Sequence, residues 1–219
     1  ALRRRGVRLV GPAVGRLASG GHGAGRMAPL EDIVDAVTAT LGRDGGLAGR
    51  RVLVTAGGTR EFIDPVRFLG NPSSGKMGYA LAAAARDRGA EVTLISGPTA
   101  LRRPAGIRVV EVVAADEMLG AVERELPGHD VLLMAAAVAD FAAAKPATRK
   151  AKKEGAALQL ELRRTKDILE AVRDVEVKVK VGFAAETDDL EKNARAKLAR
   201  KGLDFVVATP VGGLDSAFG

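Results

Sequence analysis

Val52-Leu53-Val54 is a short apolar run, and Gly57 and Gly58 close it. A long polar loop continues from it: Thr55-Ala56-Gly57-Gly58-Thr59-Arg60-Glu61, then Asp64-Pro65-Val66-Arg67, then Asn71-Pro72-Ser73-Ser74-Gly75-Lys76-Met77-Gly78. A helical pattern takes over at about 76–88 and stops ahead of Gly89. A buried strand that hands over to a helix is the repeating unit of a parallel sheet. The unit recurs along the chain. Val92-Thr93-Leu94-Ile95 reads as a second strand and 109–113 as a third, with a helix near 115–126 behind it. Val131-Leu132-Leu133-Met134 is apolar throughout, which suits a central strand covered on both faces. A short helix near 167–173, a strand near 178–184, a helix near 188–201 and a strand near 204–208 continue the series. The pattern predicts an α/β fold, a doubly wound and mostly parallel Rossmann-like sheet.

One segment breaks the alternation. Residues 141–155 are rich in Lys and Arg and carry no apolar period. Leu158, Leu160 and Leu162 then alternate with Gln159 and Glu161, the pattern of a half-exposed strand. Together they predict a β flap projecting from the sheet. Upstream, residues 1–27 read as a glycine-rich tail with little structure of its own. Residues 29–42 read as a short helix with Ile33, Val34, Val37 and Leu41 on one face, a connector between two units.

Composition narrows the chemistry. The 219 residues hold 47% hydrophobic but only 3% aromatic residues, so the core is built from Ala, Val, Leu and Ile. With no Cys and two His, thiolate and His-rich metal sites are excluded. A net charge of +7 favours anionic partners. No aromatic residues interleave with the basic ones, which argues against a single-strand nucleic-acid surface. The sequence shows no signal-peptide core and no apolar run of membrane-spanning length, so the expected compartment is the cytoplasm, with neither membrane nor nucleic acid as a partner.

The loop from Thr55 to Gly78 follows a strand and precedes a helix, which places it at the carboxyl ends of the strands, where ligands bind in open α/β sheets. Gly57, Gly58, Ser73, Ser74 and Gly75 make a phosphate or substrate loop whose backbone N–H groups meet a helix N-terminus. The spacing is neither that of a P-loop nor that of a dinucleotide fingerprint. Met134-Ala135-Ala136-Ala137-Val138-Ala139-Asp140 is a strand that ends in small residues and a carboxylate, and small residues let a planar ligand reach the backbone. A tightly packed strand with a turn Asp reads the same way. Lys150-Ala151-Lys152-Lys153 is either a solvated arm or a mobile clamp on a triphosphate. On the helix at 188–201, Asp188 and Glu191 have capping-box spacing, and Leu190, Ala194 and Leu198 form a stripe expected to be buried. Lys197 and Lys201 share a face at i, i+4, a repulsive pair unless an anion lies between them or the helix C-terminus favours both.

Taken together these segments resemble the phosphopantothenoylcysteine synthetases in their bacterial bifunctional form. The resemblance covers residues 50 to about 210 and is most specific in Thr55-Ala56-Gly57-Gly58-Thr59-Arg60-Glu61 and in Asn71 to Gly78; Gly182-Phe183-Ala184-Ala185-Glu186-Thr187 also falls in the family's order. It implies a ligase that joins 4′-phosphopantothenate and L-cysteine through an acyl-cytidylate, with CTP as substrate, Mg²⁺ bridging its phosphates, and a homodimer. Carried over by position, Asn71 binds phosphopantothenate and orients the acyl intermediate, Arg67 serves the second half-reaction, and Lys150 acts on the triphosphate or the activated acyl group. Met134, Ala135, Ala136, Ala137, Asp140, Lys166, Asp167, Ile168, Leu169 and Phe183 surround the nucleotide, and Lys197 and Lys201 hold phosphates. No metal ligand is assigned. Two departures stand out: Thr165-Lys166-Asp167-Ile168 where the family has Asn-Pro-Asp-Ile, and Thr209 where it often has Asn.

The first 45 residues resemble the end of a flavin-dependent decarboxylase, with Gly25-Arg26-Met27 matching its Gly-Arg-Met and Ala18-Ser19-Gly20 standing where it usually has Ala-Cys-Gly, so that Ser19 takes the place of its acid Cys. The expected division is therefore 1–45 as a decarboxylase remnant and linker helix, and 46–219 as the synthetase unit. The family's closing strand and helix are expected to be missing, and FMN binding is not expected. Two rivals remain in view. A nicotinamide-dependent reductase of the short-chain type needs Tyr-x-x-x-Lys, whereas Tyr79 is followed at that spacing by Ala83. The other is an inactive fragment that only dimerises.

Overall fold

A computed structural model of the chain describes residues 1–150, 152 and 159–211. In chain order its elements are β1 (Ala13–Arg16), β2 (His22–Arg26), α1 (Leu30–Leu41), β3 (Arg51–Ala56), β4 (Glu61–Phe62) and β5 (Phe68–Leu69). Then come α2 (Lys76–Arg86), β6 (Glu91–Ser96), β7 (Arg108–Glu111), α3 (Ala115–Glu125), β8 (Val131–Met134) and β9 (Phe141–Ala143). The series ends with β10 (Leu162–Arg164), α4 (Ile168–Ala171), β11 (Val179–Glu186), α5 (Leu190–Lys201) and β12 (Phe205–Pro210).

Among the described residues the main sheet has six strands in the order β12-β11-β8-β3-β6-β7, every neighbouring pair parallel. Chain order runs outward from β3 to β6 and β7, then returns to the other side of β3 for β8, β11 and β12. The winding reverses between β3 and β8, and there the carboxyl ends of two adjacent strands splay apart and leave a crevice. The predicted doubly wound sheet is therefore present. Alternation along β3 shows why it needs helices on both faces. Val52 and Val54 pack with Ala82, Ala85 and Leu94 on the α2 side, while Leu53 packs with Ile95, Met118, Val122 and Leu132 on the α3 side.

Glycines set how close α2 comes to the sheet. A Cβ on Gly78 would stand 2.5 Å from the Ala56 Cβ and 2.8 Å from the Thr55 carbonyl oxygen, so only a bare backbone fits this crossing.

Several expectations need correction. Residues 1–27 are not without structure: β1 and β2 pair as an antiparallel hairpin with a bulge at Ala13/Val14, and Arg3–Arg5 form a short 3-10 turn. The long loop holds its own two-stranded ribbon, β4 against β5. On α1 the predicted apolar face is covered only in part, at the half-buried Ile33, for Val34, Val37 and Leu41 are all exposed. The helix is fastened by charge instead, through Asp35 to the buried Arg86 (3.4 Å) and Asp32 to Arg102. No capping box starts α5. Its N-cap is Asp189, in the left-handed region at φ 45°, with no side-chain cap, and Leu198 is exposed while Lys201 is buried. The flap is present as β9 paired antiparallel with β10, but its second strand runs Leu162–Arg164 and is exposed throughout, not half-exposed along the Leu158–Leu162 alternation. Leu158, Ala151 and Lys153 lie outside the described residues.

Candidate functional site

The crevice beyond β3 and β8 is built by hydrogen bonds between the loop after β3 and the small-residue segment after β8. The Ala137 amide donates to the Gly57 carbonyl (2.8 Å) and the Thr59 amide to the Ala137 carbonyl (3.2 Å). The Ala136 amide donates to Thr55 Oγ1 (3.1 Å), and the Ala139 amide to Thr59 Oγ1 (2.9 Å). Both threonines are fully buried. Gly58 brings the far end of the loop down onto this ribbon, since a Cβ there would lie 2.7 Å from the Asn71 carbonyl oxygen. Asn71 thus sits at the rim, its Nδ2 donating to the Val138 carbonyl (3.3 Å).

From Asn71 the chain turns through Ser73, Ser74 and Gly75 into α2. Gly75 is the N-cap at φ 78°, a conformation that glycine adopts without strain. Thr99 Oγ1 donates to the Ser74 carbonyl (2.9 Å) and holds the turn. The first turn of a helix has amides with no intrahelical acceptor, and they carry partial positive charge. Here Lys76, Met77 and Gly78 supply that turn and line the crevice.

The cleft so formed has a volume of about 290 Å³. Asn71, Ser73, Gly75 and the start of α2 make one wall; Ala135, Ala136, Ala137, Val138 and Asp140 make the floor; Phe183, Ala184, Ala185, Lys197 and Thr209 make the opposite wall. Lys197 Nζ donates to the Phe183 carbonyl (2.5 Å). Burial pulls the Lys197 ammonium below its usual range, with Asp167 and Glu186 opposing less strongly. A desolvated cation facing positive helix amides is an arrangement that an anion completes.

The remaining predicted site residues lie elsewhere. Lys201 does not share the cleft with Lys197. It is 4% exposed and bound to Asp167 (2.6 Å) and Glu170 (3.1 Å), beside a second cleft lined by Asp140, Phe141, Arg164, Thr165 and Arg200. Two carboxylates therefore offset the like charge. At Asp167, burial pushes the carboxyl up, but Lys201 and the Glu170 amide outweigh it and the net direction is down. Met134 is buried beneath the floor, its Sδ against Thr55 Oγ1. Ile168 and Leu169 belong to the core with Val172 and Leu203. Lys166 and Lys150 are exposed and line none of these clefts. Arg67 is bound to the buried Asp64, whose carboxylate also accepts from the Val66 and Arg67 amides. Gly57 is buried and lines none of these clefts.

Sequence reasoning gave no site role to Lys76, Met77, Gly78, Val138, Ala184 and Ala185, and noted Thr209 only as a departure from the family, yet all of them line the cleft. Lys76 had a readable signal: the first helical residue after a glycine turn points where the helix begins. Among the described residues no group of three or more His, Asp or Glu could hold a metal ion.

Residues 47–219 match the model of the DNA/pantothenate metabolism flavoprotein C-terminal domain. The chain belongs to this family. Members of the family give the resemblance read from the 55–78 loop independent support. The coenzyme A biosynthesis bifunctional protein CoaBC of Mycobacterium tuberculosis is 50% identical over 229 residues, covering 96% of the chain and 54% of the relative. CoaBC of Bacillus subtilis is 43% identical over 222 residues, covering 100% of the chain and 55% of the relative. The chain thus spans about half the length of the curated relatives it matches. Among solved structures, the C-terminal domain of CoaBC superposes with a TM-score of 0.64 at 45% identity, covering 72% of this chain and 76% of that one. A Cab2 mutant in complex with phosphopantothenate-cysteine gives 0.63 at 18% identity, covering 84% and 80%, a likeness of fold.

Proposed function

We propose that this domain joins 4′-phosphopantothenate to L-cysteine, using CTP to activate the acid. The observation that carries the reading is the convergence on one cleft of a helix N-terminus, a floor of small residues, Asn71 and the desolvated Lys197. Membership in a family whose relatives are coenzyme A biosynthesis proteins supports it.

A carboxylate is a poor electrophile, so amide formation needs a leaving group. The acid's oxygen attacks the α-phosphorus of CTP, giving an acyl-cytidylate and pyrophosphate. The cysteine amine then attacks the acyl carbon, and CMP departs with the acyl–oxygen electron pair. The triphosphate lies against the first turn of α2 and Lys197, whose fixed charges face the pyrophosphate as it leaves. The base lies over Ala135 to Ala137 near Phe183. Asn71 orients the acyl group between nucleotide and amine. In this reading Lys150 reaches in from the flap, Arg67 serves the amine step, and Lys201 with Asp167 borders the nucleotide. Asp140 is the carboxylate of the cleft, and one carboxylate beside a triphosphate fits Mg²⁺, which takes most of its ligands from phosphate and water. Asp140 would hold such an ion, which would offset the charge of the phosphates. The reading includes a cytoplasmic homodimer.

Pyrophosphate release from CTP with phosphopantothenate, compared with ATP, tests the first step, and CMP release on adding cysteine tests the second. Asn71→Asp is expected to slow CMP release far more than pyrophosphate release. Full ligation by that variant would exclude Asn71 from the site.

A further inference from the structure

A second chamber of about 300 Å³ lies across the Asn71–Ser73 ridge from the nucleotide cleft. Asn71 and Ser73 line both spaces, so a ligand gripped at Asn71 can extend into either. Arg60 is the one charged residue among the described residues that line the chamber; the others are glycines, Thr59, Phe68, Pro72, Pro98 and the two ridge residues.

The Arg60 guanidinium is positioned but not neutralised. Its carbon sits 4.8 Å from the centre of the Phe68 ring, and Phe68 is itself braced edge-on by Phe62, with ring centres 5.9 Å apart. The Arg60 amide donates to the Val113 carbonyl (2.8 Å), which fixes the backbone. Among the described residues no carboxylate lies within ion-pair distance of this guanidinium, whereas Arg67 on the same loop is bound to Asp64. An arginine stacked on an aromatic face, lining a chamber with no acid among the described residues, is suited to an anion.

We propose that Arg60 binds the phosphate monoester of the acid substrate and so makes the enzyme select phosphopantothenate over pantothenate. This rests on the ligase reading above. With the acyl end at Asn71, the extended substrate reaches over the ridge, and its phosphate enters the chamber. The carbon next to the phosphate ester arm carries two methyl groups, and Pro72, Pro98 and the Phe68 ring offer them an apolar wall. The other anions have nearer sites. The cysteine carboxylate is attached to the carbon that bears the attacking amine, so it stays on the acyl side of the ridge. The triphosphate is held across the cleft by α2 and Lys197.

The experiment measures binding and turnover of phosphopantothenate and pantothenate by the chain and by Arg60→Gln and Arg60→Lys. Calorimetry with each acid reads binding alone, and pyrophosphate release reads the reaction. Arg60→Gln is expected to lower affinity and kcat/KM for phosphopantothenate by about 10- to 100-fold, the worth of one or two charge-assisted hydrogen bonds, and to leave pantothenate affinity where it was. Arg60→Lys is expected to recover part of the loss. An equal loss for both acids would show that Arg60 only supports the loop and would overturn the proposal. So would a rise confined to the KM for cysteine. If the unaltered chain released no pyrophosphate with any nucleotide, the ligase reading would fail by itself. The calorimetric comparison would still judge Arg60, and equal phosphopantothenate affinity in the chain and in Arg60→Gln would overturn its role.

Discussion

Lys197 and Lys201 stand four residues apart on one helix, yet their surroundings assign them different work. Lys201 is enclosed by Asp167 and Glu170, so its charge is already answered. Lys197 has a carbonyl for a partner and is depressed by burial. Lys201→Met is expected to cost less than about 1 kcal/mol of stability in urea unfolding, because water can answer the half-exposed Asp167 and the exposed Glu170. Lys197→Met removes a desolvated cation and is expected to weaken CTP binding instead. The pH dependence follows from the same burial. Free Lys197 loses its proton at a lower pH than an ordinary lysine, and a bound triphosphate raises the pKa again. Affinity is therefore greatest below the free-state pKa and falls as pH rises through it toward the bound-state value. Calorimetry of CTP binding across alkaline pH, in two buffers of different ionisation heat, would register proton uptake that Lys197→Met abolishes. Unchanged proton uptake in that variant would assign it to another group.

At the scale of elements, the crossing of α2 over β3 decides where the free amides of the first turn of α2 point. Gly78→Ala forces a Cβ onto Ala56 and onto the Thr55 carbonyl, and backbone cannot swing aside. The expected cost is about 1–3 kcal/mol, with weaker CTP binding as the helix start shifts. Gly182→Ala is a useful contrast. There the added Cβ would meet Leu203 Cδ1 at 2.6 Å, the far end of a side chain that can rotate, so a smaller loss is expected in the same unfolding assay. The strands and helices around this crossing were readable because each is a short apolar run bounded by glycine, as at Val52–Val54 and Gly57. The hairpin of β1 and β2 was not, since glycine-rich strands such as His22–Arg26 carry no alternating apolar face. The β4–β5 ribbon is two residues per strand, too short for any period. The site was readable where one local sequence makes it, as in Asn71 to Gly75. It was less readable where partners come from afar: nothing near Lys201 in sequence announces Asp167 and Glu170, and Leu198 faces outward because β11 and β12 meet α5 along the Lys197–Lys201 side.

Across the whole molecule, chemistry and stability occupy opposite ends of one sheet. The carboxyl ends of β3, β8 and β11 hold the cleft. Their amino ends hold a polar knot, in which Asp130 accepts from the Arg51 amide (2.9 Å) and pairs with Lys178 and Arg50. Lys178 above all, then the Arg51 amide, holds the Asp130 carboxyl down to about 2. Next to it His129 is buried, with Nε2 3.4 Å from Thr93 Oγ1 and Nδ1 unpartnered among the described residues. Burial, above all, pushes the His129 imidazolium down, with Glu125 opposing. Both groups are depressed in the folded state, so for both the unfolded chain binds protons first as pH falls, and stability declines. The declines fall in separate windows. His129 acts from about 6.5, its ordinary value, downward to its lowered value, and Asp130 acts from about 4 downward to about 2. Urea midpoints measured from pH 8 to pH 3 are therefore expected to fall in two stages. His129→Phe should remove the upper stage and keep the lower, whereas Asp130→Asn should keep the upper and shrink the lower without abolishing it, since Glu125 and Asp167 are also held below the usual carboxylate range. Because both residues sit at the far end of β3 and β8, neither substitution should alter CTP affinity at pH 8, where both groups are already deprotonated. A loss of affinity there would mean that the amino-terminal end of the sheet sets the geometry of the cleft after all.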